Sequence, residues 1–299
     1  MFPLDLSLCI ILVTFISVLF VSFSKGSSPG NIALIAVIIN AGISSWVAFN
    51  AVLGHPYQEI IHGGLIFGDI PIRIDALSGW FILMMNFTVF TGILYGRRYM
   101  KHYENKSGII SLHFVSFIIN HFSMIGIFCV QNSLAFLYIW EIMALSSFIM
   151  IIFEYGKPDT RKAGINFLIQ SHICILFLTI GLIWVSSRTN SYDFNAISQY
   201  CSSVNPAISF VLFLCFFIGF AIKAGFVPFH TWLPYAHPVA PAHVSGVMSG
   251  VMIKLGIFGI LRMMLLVNQN YLIIGYFILI VSLISGLYGV ILAIVQHNL

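Results

Sequence analysis

Charge is what this sequence has least of. Of its 299 residues only 13 are Lys or Arg and 9 are Asp or Glu, a charged fraction of 7%, whereas soluble domains run near roughly 25%. With 60% hydrophobic residues and a mean hydropathy of +1.01, the chain is composed for lipid rather than water. The formal net charge of +4 comes from residues too few and too scattered to form a polyanion-binding surface, which excludes nucleic acid as a partner. Cysteine is also scarce. The five present (Cys9, Cys129, Cys174, Cys201, Cys215) are odd in number, lack C-x-x-C spacing and lie mostly inside apolar runs. They argue against a disulfide framework and against an iron-sulfur or zinc site. No H-E-x-x-H pattern occurs among the ten histidines, so neither metal nor cofactor is expected. The N-terminus, MFPLDLSLCI, carries an acid in place of a basic region, and no small-residue cleavage pattern follows the first apolar run. That run is therefore read as a retained helix rather than a removed signal. No short-period repeat or low-complexity tract is visible.

What the sequence has in abundance is long apolar runs. About 20 apolar residues cross roughly 30 Å of hydrocarbon as a helix. Runs of that kind lie near 6–23, 31–53, 77–96, 109–130, 132–153, 163–187, 206–228, 242–267 and 271–295. The reading is an all-α membrane protein of about nine transmembrane helices, in which the fourth and fifth are divided only by Gln131-Asn132-Ser133. If the N-terminus lies on side one, the side-two loops hold Lys25, Arg97, Arg98, Lys101, Lys106, Lys157, Arg161 and Lys162, against Arg73, Arg188 and Arg262 opposite. Eight against three points side two to the cytoplasm and the N-terminus outward, in a cytoplasmic (inner) membrane. Arg262, near a helix end, is expected to snorkel as an anchor. The two longest loops, near 54–76 and 188–205, hold ordinary turn residues and no soluble domain.

An ionisable group deep in a transmembrane helix costs at least about 2.5–3.5 kcal/mol, so it is expected to face the bundle interior and serve a purpose. Three qualify: Glu141 in LYIWEIMALSSF of the fifth run, Lys223 in FFIGFAIKAGF of the seventh and Lys254 in SGVMIKLGIFG of the eighth. The fifth and seventh helices run in the same direction, so Glu141 and Lys223 can meet as an ion pair. An opposite charge keeps a lysine protonated and desolvation alone releases its proton, so making or breaking the pair would switch Lys223. A static pair that merely folds two polar groups into the membrane is the alternative.

Just beyond Lys223 the segment GFVPFHTWLPYAHPVAPAH crowds together Pro228, Pro234, Pro238 and Pro241. Pro228 offers no N–H to the Ala224 carbonyl, which predicts a break in the seventh helix one turn past the lysine and a freed carbonyl beside the ammonium. Irregular backbone at membrane depth survives where it is buried in protein or lines a watery cavity, so the break marks a hydrated path; a plain surface loop is the alternative. Lys223 follows Gly219, and Lys254 follows Gly250 and Gly246, at helical spacing, leaving room for water or a close helix. Of the histidines, His55, His62, His102 and His297 read as loop or end residues, and His113, His121 and His172 as helix residues hydrogen-bonded in the bundle. His230, His237 and His243 flank the break, and His230 is the foremost relay candidate.

Glu141, Lys223, the segment FVPFHTWLPYAHPVAPAHVSG and Lys254 together resemble the antiporter-like subunits shared by respiratory complex I, membrane-bound hydrogenases and multi-subunit sodium/proton antiporters. The likeness runs in order over roughly residues 75–299, and HTWLPYAHPVAPAHVSGVMSGVMIKLGIFGILR looks most like the branch of hydrogenase-4 component B and formate hydrogenlyase subunit 3. The resemblance implies a Glu–Lys pair at Glu141 and Lys223 and a central relay lysine at Lys254. It also implies that residues 1–108 hold three N-terminal helices, 109–268 a five-helix antiporter-like unit, and 269–299 a ninth helix opening a second unit. Family members continue into an inverted second unit with a further charged residue, whereas this sequence stops at VQHNL, so the expected fold is the N-terminal half of an antiporter-like subunit. A truncated product, a fragment and one half of a split subunit all fit that stop. The implied function is proton translocation within an oxidoreductase complex, without a redox centre in this chain. Other membrane subunits and a peripheral redox arm are the implied partners. A sodium/proton antiporter subunit and a non-conducting anchor for that arm are the alternatives.

Overall fold

The computed structural model describes residues 5–24, 28–267, 269 and 271–295. Among these, nine helical segments are long and apolar enough to cross a membrane. Helix α1 (Leu6–Phe23) and α2 (Ser28–Val52) lead into a short hairpin of β1 (Tyr57–His62) and β2 (Asp69–Ile74), with the one-turn α3 (Gly64–Phe67) at its tip. The strands pair antiparallel, Tyr57 opposite Ile74 and His62 opposite Asp69. The hairpin replaces the plain loop expected over 54–76; Gln58, Glu59, Ile60, Pro71 and Arg73 show no clean apolar alternation that would mark it. Lys25, used in the orientation count, and His297 lie outside the described residues.

The chain continues through α4 (Ala76–Tyr99), α5 (Ser107–Cys129) and α6 (Ser133–Ile151). A 3₁₀ segment, Met100–Lys106, joins α4 to α5. The division at Gln131-Asn132-Ser133 is sharp because Asn132 caps α6. Its Oδ1 accepts from the N–H groups of Leu134 and Ala135 at 3.0 and 3.1 Å, while its Nδ2 donates to the carbonyls of Phe67 and Asp69. Helix α7 (Pro158–Thr189) starts five residues earlier than the apolar run, with Pro158 in its first turn. Its 32 residues span about 48 Å, beyond the roughly 30 Å core, so Arg161 and Lys162 sit on a helical overhang at the membrane edge. The second long loop holds α8 (Asn195–Ser203).

Helix α9 (Pro206–Ala224) ends immediately after Lys223, followed by a 3₁₀ turn, Phe229–Trp232, and α10 (Leu233–Val239). Helix α11 (Ala242–Val247) passes through a π-helical turn, Met248–Met252, into α12 (Ile253–Leu266); α13 (Tyr271–Val295) closes the described chain. The interior packs α2 on α4, α5 on α6, and α9 against both α7 and α12. Gly256 permits the last contact, since a Cβ there would fall 2.5 Å from the Phe220 carbonyl oxygen. Asn86 ties α4 to both α2 and α5 inside the bundle: it donates to Ser44 and Ser45, each at 2.8 Å, and accepts from His121 Nε2 at 3.0 Å.

Candidate functional site

The break beside Lys223 is present, but Gly225 makes it. Gly225 is left-handed, φ 73°, and a Cβ at this position would collide with Leu233. The backbone conformation favours glycine, and any side chain here would have to displace the Leu233 methyl. The helix therefore stops three residues before Pro228, correcting the assignment of the break to that proline. The freed carbonyls do not turn to the ammonium. Phe226 N–H donates to the Ala221 carbonyl at 3.0 Å, and Trp232 Nε1 donates to that of Ile222 at 2.9 Å. The irregular segment is thus stapled back onto the end of α9.

This staple builds the pocket that holds Lys223. The side chain is 2% exposed, and its Nζ has no hydrogen-bond partner among the described residues. It lies 4.7 Å from the centroid of Phe167 on α7 and 6.0 Å from that of Trp232. Aromatic faces attract a cation without taking its proton, so they support the charge while leaving the amine free to exchange it.

Glu141 is held elsewhere. Its Oε1 lies 3.1 Å from His172 Nε2, and its buried Oε2 has no partner among the described residues. His172 Nδ1 meets the Leu168 carbonyl one turn back at 2.8 Å, so that nitrogen carries a hydrogen. The remaining contact then needs one further proton, on Nε2 or on the carboxyl, and the pair holds a proton in either arrangement. In this structure Glu141 and Lys223 make no ion pair; His172 has taken the acid. Sequence reading placed His172 among bonded helix histidines but could not see its partner, because 31 positions separate the two residues and no spacing rule joins α6 to α7.

At Lys254 the π turn decides the geometry. Ile253 N–H donates to the Met248 carbonyl, five residues back, so the Ser249 carbonyl loses its usual helical donor. The Lys254 ammonium donates to it instead. Of the two uses expected for the space beside the glycines, a close helix takes it at Gly219, where a Cβ would meet Leu178, and at Gly250, where one would meet Thr88, whereas Gly246 has no neighbour within 4 Å among the described residues. His230 sits against α13, its ring centroid 5.4 Å from that of Tyr288 and its Nδ1 without a partner among the described residues. His237 Nδ1 meets the Ser245 hydroxyl at 2.8 Å.

Arg262 does not snorkel. It is 4% exposed and forms a two-pronged ion pair with Asp75, at 2.5 and 2.8 Å, with a further bond to Ser78 Oγ at 2.9 Å. Asp75, the residue capping α4, looked like a loop acid in the sequence; only the fold brings it to α12. Burial raises its carboxyl pKa, but the Arg262 hydrogen bonds and charge outweigh that and bring it down to about 2.

A bundle of membrane-spanning helices with a buried unpaired lysine beside a broken helix, and a second lysine on a π turn, defines the class: a multi-pass, antiporter-like membrane subunit. Residues 130–299 match the family described as the transmembrane region of NADH:quinone oxidoreductase/Mrp antiporters, and the chain belongs to that family. It is 34% identical over 236 residues to hydrogenase-4 component B of Escherichia coli (strain K12), covering 78% of this chain and 34% of that protein. It is 28% identical over 235 residues to NADH-quinone oxidoreductase subunit M of Rickettsia bellii (strain RML369-C), covering 77% of this chain and 46% of the relative. The chain thus spans between about a third and a half of these relatives' length. Its fold matches a chain of the Mrp complex from Dietzia sp. DQ12-45-1b with a TM-score of 0.76, at 18% identity, over 90% of this chain and 50% of that one.

Proposed function

We propose that this chain is a proton-translocating subunit of a hydrogenase-4/formate hydrogenlyase-type or complex I-like oxidoreductase complex. Residues 109–268 would form its five-helix translocating unit, between the N-terminal helices of 1–108 and the ninth helix of 269–299. Electrons would move in a peripheral redox arm and not in this subunit. The observation that carries the reading is the buried Lys223 amine, beside a helix break and without a hydrogen-bond partner among the described residues, together with an acid, Glu141, that His172 holds through a shared proton. When His172 releases Glu141, the carboxylate is free to swing toward Lys223 and stabilise its charge; when His172 recaptures it, the lysine is left to desolvation and gives up its proton. Lys254 then receives the proton and passes it on, with His230 as an accessory relay. The orientation that follows from the basic loops puts side two in the cytoplasm and the N-terminus outside, in the inner membrane.

The test is proton movement by the assembled complex in proteoliposomes. Glu141→Gln and Lys223→Ala are each expected to cut it on the order of a hundredfold while electron transfer continues at least in part. Normal assembly with unmodified pumping in either variant would make these groups structural and defeat the reading. The family's Mrp branch supports a second reading, a subunit of a multi-subunit sodium/proton antiporter. Proton exchange that requires sodium and no electron donor would select it. An assembly defect with unchanged coupling per complex would select a non-conducting anchor.

A further inference from the structure

At the side-two end of the bundle, away from the lysines, two histidines meet. His113, in the second turn of α5, and His243, at the start of α11, lie Nε2 to Nε2 at 2.8 Å. They are 1% and 3% exposed, enclosed by Phe114, Phe117, Phe153 and Tyr99. Gly96 of α4 lies directly beneath the His243 ring, where a Cβ would fall 2.6 Å from Cδ2.

Two imidazoles at this distance share one proton. One ring donates from Nε2 and keeps a bare Nδ1; the other accepts at Nε2 and must carry its own proton on Nδ1. Neither Nδ1 has a partner among the described residues. Leaving such a buried group unsatisfied costs about 1–3 kcal/mol, which a pair of apolar rings in the same space would not incur. The pair is therefore a hydrogen bond with an open acceptor at one end and an open donor at the other.

Packed aromatic rings, two of them tyrosines, lie between this pair and the surface. The Tyr99 ring lies 5.9 Å from that of His243, and the Tyr103 ring 6.3 Å from that of Tyr99. The Tyr103 ring packs edge-on against that of Phe153, 5.1 Å away, and the next residue, Glu154, pairs with Lys157 at 2.5 Å on the side-two surface. Toward the interior, Lys254 leans back along its helix to the Ser249 carbonyl, about 9 Å along the axis from His243.

We propose that the His113–His243 pair is a proton relay between the side-two surface, at Glu154 and Tyr103, and the lysine pathway. This rests on the translocation reading above. A proton arriving at the bare Nδ1 of one ring lets that ring's Nε2 proton cross to the other Nε2, and the second ring's Nδ1 proton departs. One proton enters and one leaves, no charge stays behind, and the two rings exchange tautomers.

The experiment uses the assembled complex in proteoliposomes, with His243→Ala beside Lys223→Ala as the control for translocation itself. His243→Ala opens a ring-sized space above Gly96. Proton movement is expected to fall on the order of a hundredfold and to be partly restored by added imidazole, with electron transfer retained. Unchanged proton movement, or a loss that imidazole does not restore, overturns the relay and leaves the pair as a structural cross-link. If Lys223→Ala also pumps normally, it is the translocation reading that has failed, and the relay with it. Should His243→Ala not assemble, Tyr103→Phe decides: it removes one hydroxyl at the rim, and slowed proton movement supports the relay whereas the unmodified rate overturns it.

Discussion

Arg262 shows how far a single residue can depart from the role its position suggests. Near a helix end it reads as an anchor, which would be worth little; buried against Asp75 and Ser78, it locks α12 to the start of α4. Removing one partner of a buried pair strands the other, so Arg262→Met is expected to destabilise the protein by about 3 kcal/mol. A fall in thermal midpoint in detergent measures this, and an unchanged midpoint would restore the anchor reading. The pair also has a pH signature. Asp75 is held at about 2, below its ordinary 3.8, so its contribution is complete above about 4 and is lost as pH falls through the folded value. Stability curves of the unmodified protein and of Asp75→Asn should therefore converge between about pH 4 and 2.

At the scale of the element, the decisive feature is the end of α9. Gly225 combines a left-handed backbone with a Cβ position already occupied by Leu233, so Gly225→Ala is both strained and crowded. We expect it to cost more than the roughly 1 kcal/mol typical of a lone left-handed residue, and to displace Trp232 from the Ile222 carbonyl and from the Lys223 pocket. Trp232 fluorescence and limited proteolysis of the 225–241 segment report this; an unaltered emission spectrum and cleavage pattern would show that the break does not depend on Gly225. Pro228→Ala, by contrast, should leave the end of α9 in place, because the helix has already stopped.

For the whole molecule, orientation is the property that the apolar helices cannot set by themselves, since a hydrocarbon slab is symmetric. The basic loops break that symmetry: Arg97 and Arg98 close α4, and Lys157, Arg161 and Lys162 crowd the start of α7. A reporter inserted at 97–106 or at 154–162 is expected in the cytoplasm. Periplasmic readout from both positions would invert the topology, and with it the side from which the His113–His243 pair is loaded. The long α13 buries only Ile274 among its residues and presents Leu272, Leu279, Leu283, Leu287 and Ile291 outward. Such a face is suited to lipid or to a further helix.

The sequence by itself determined the solvent, the spans, nine among the described residues, and the existence of a break near Lys223, and it picked out three costly charges expected within those spans. Each is a one-dimensional property, because hydrophobic length, the cost of burying charge and the local rules for proline and glycine act within a few residues. Family membership was legible for the same reason, in the order of Glu141, Lys223, the proline-rich segment and Lys254. Tertiary structure alone decided which groups meet: Glu141 with His172, Arg262 with Asp75, His113 with His243, and Lys223 with two aromatic faces instead of an acid. Those partners lie on different helices, up to 187 positions apart, and their meeting depends on helix rotation and packing. The rotation in turn hangs on details such as the π turn before Lys254, whose extra residue per turn redirects a side chain that periodicity alone would have placed on another face.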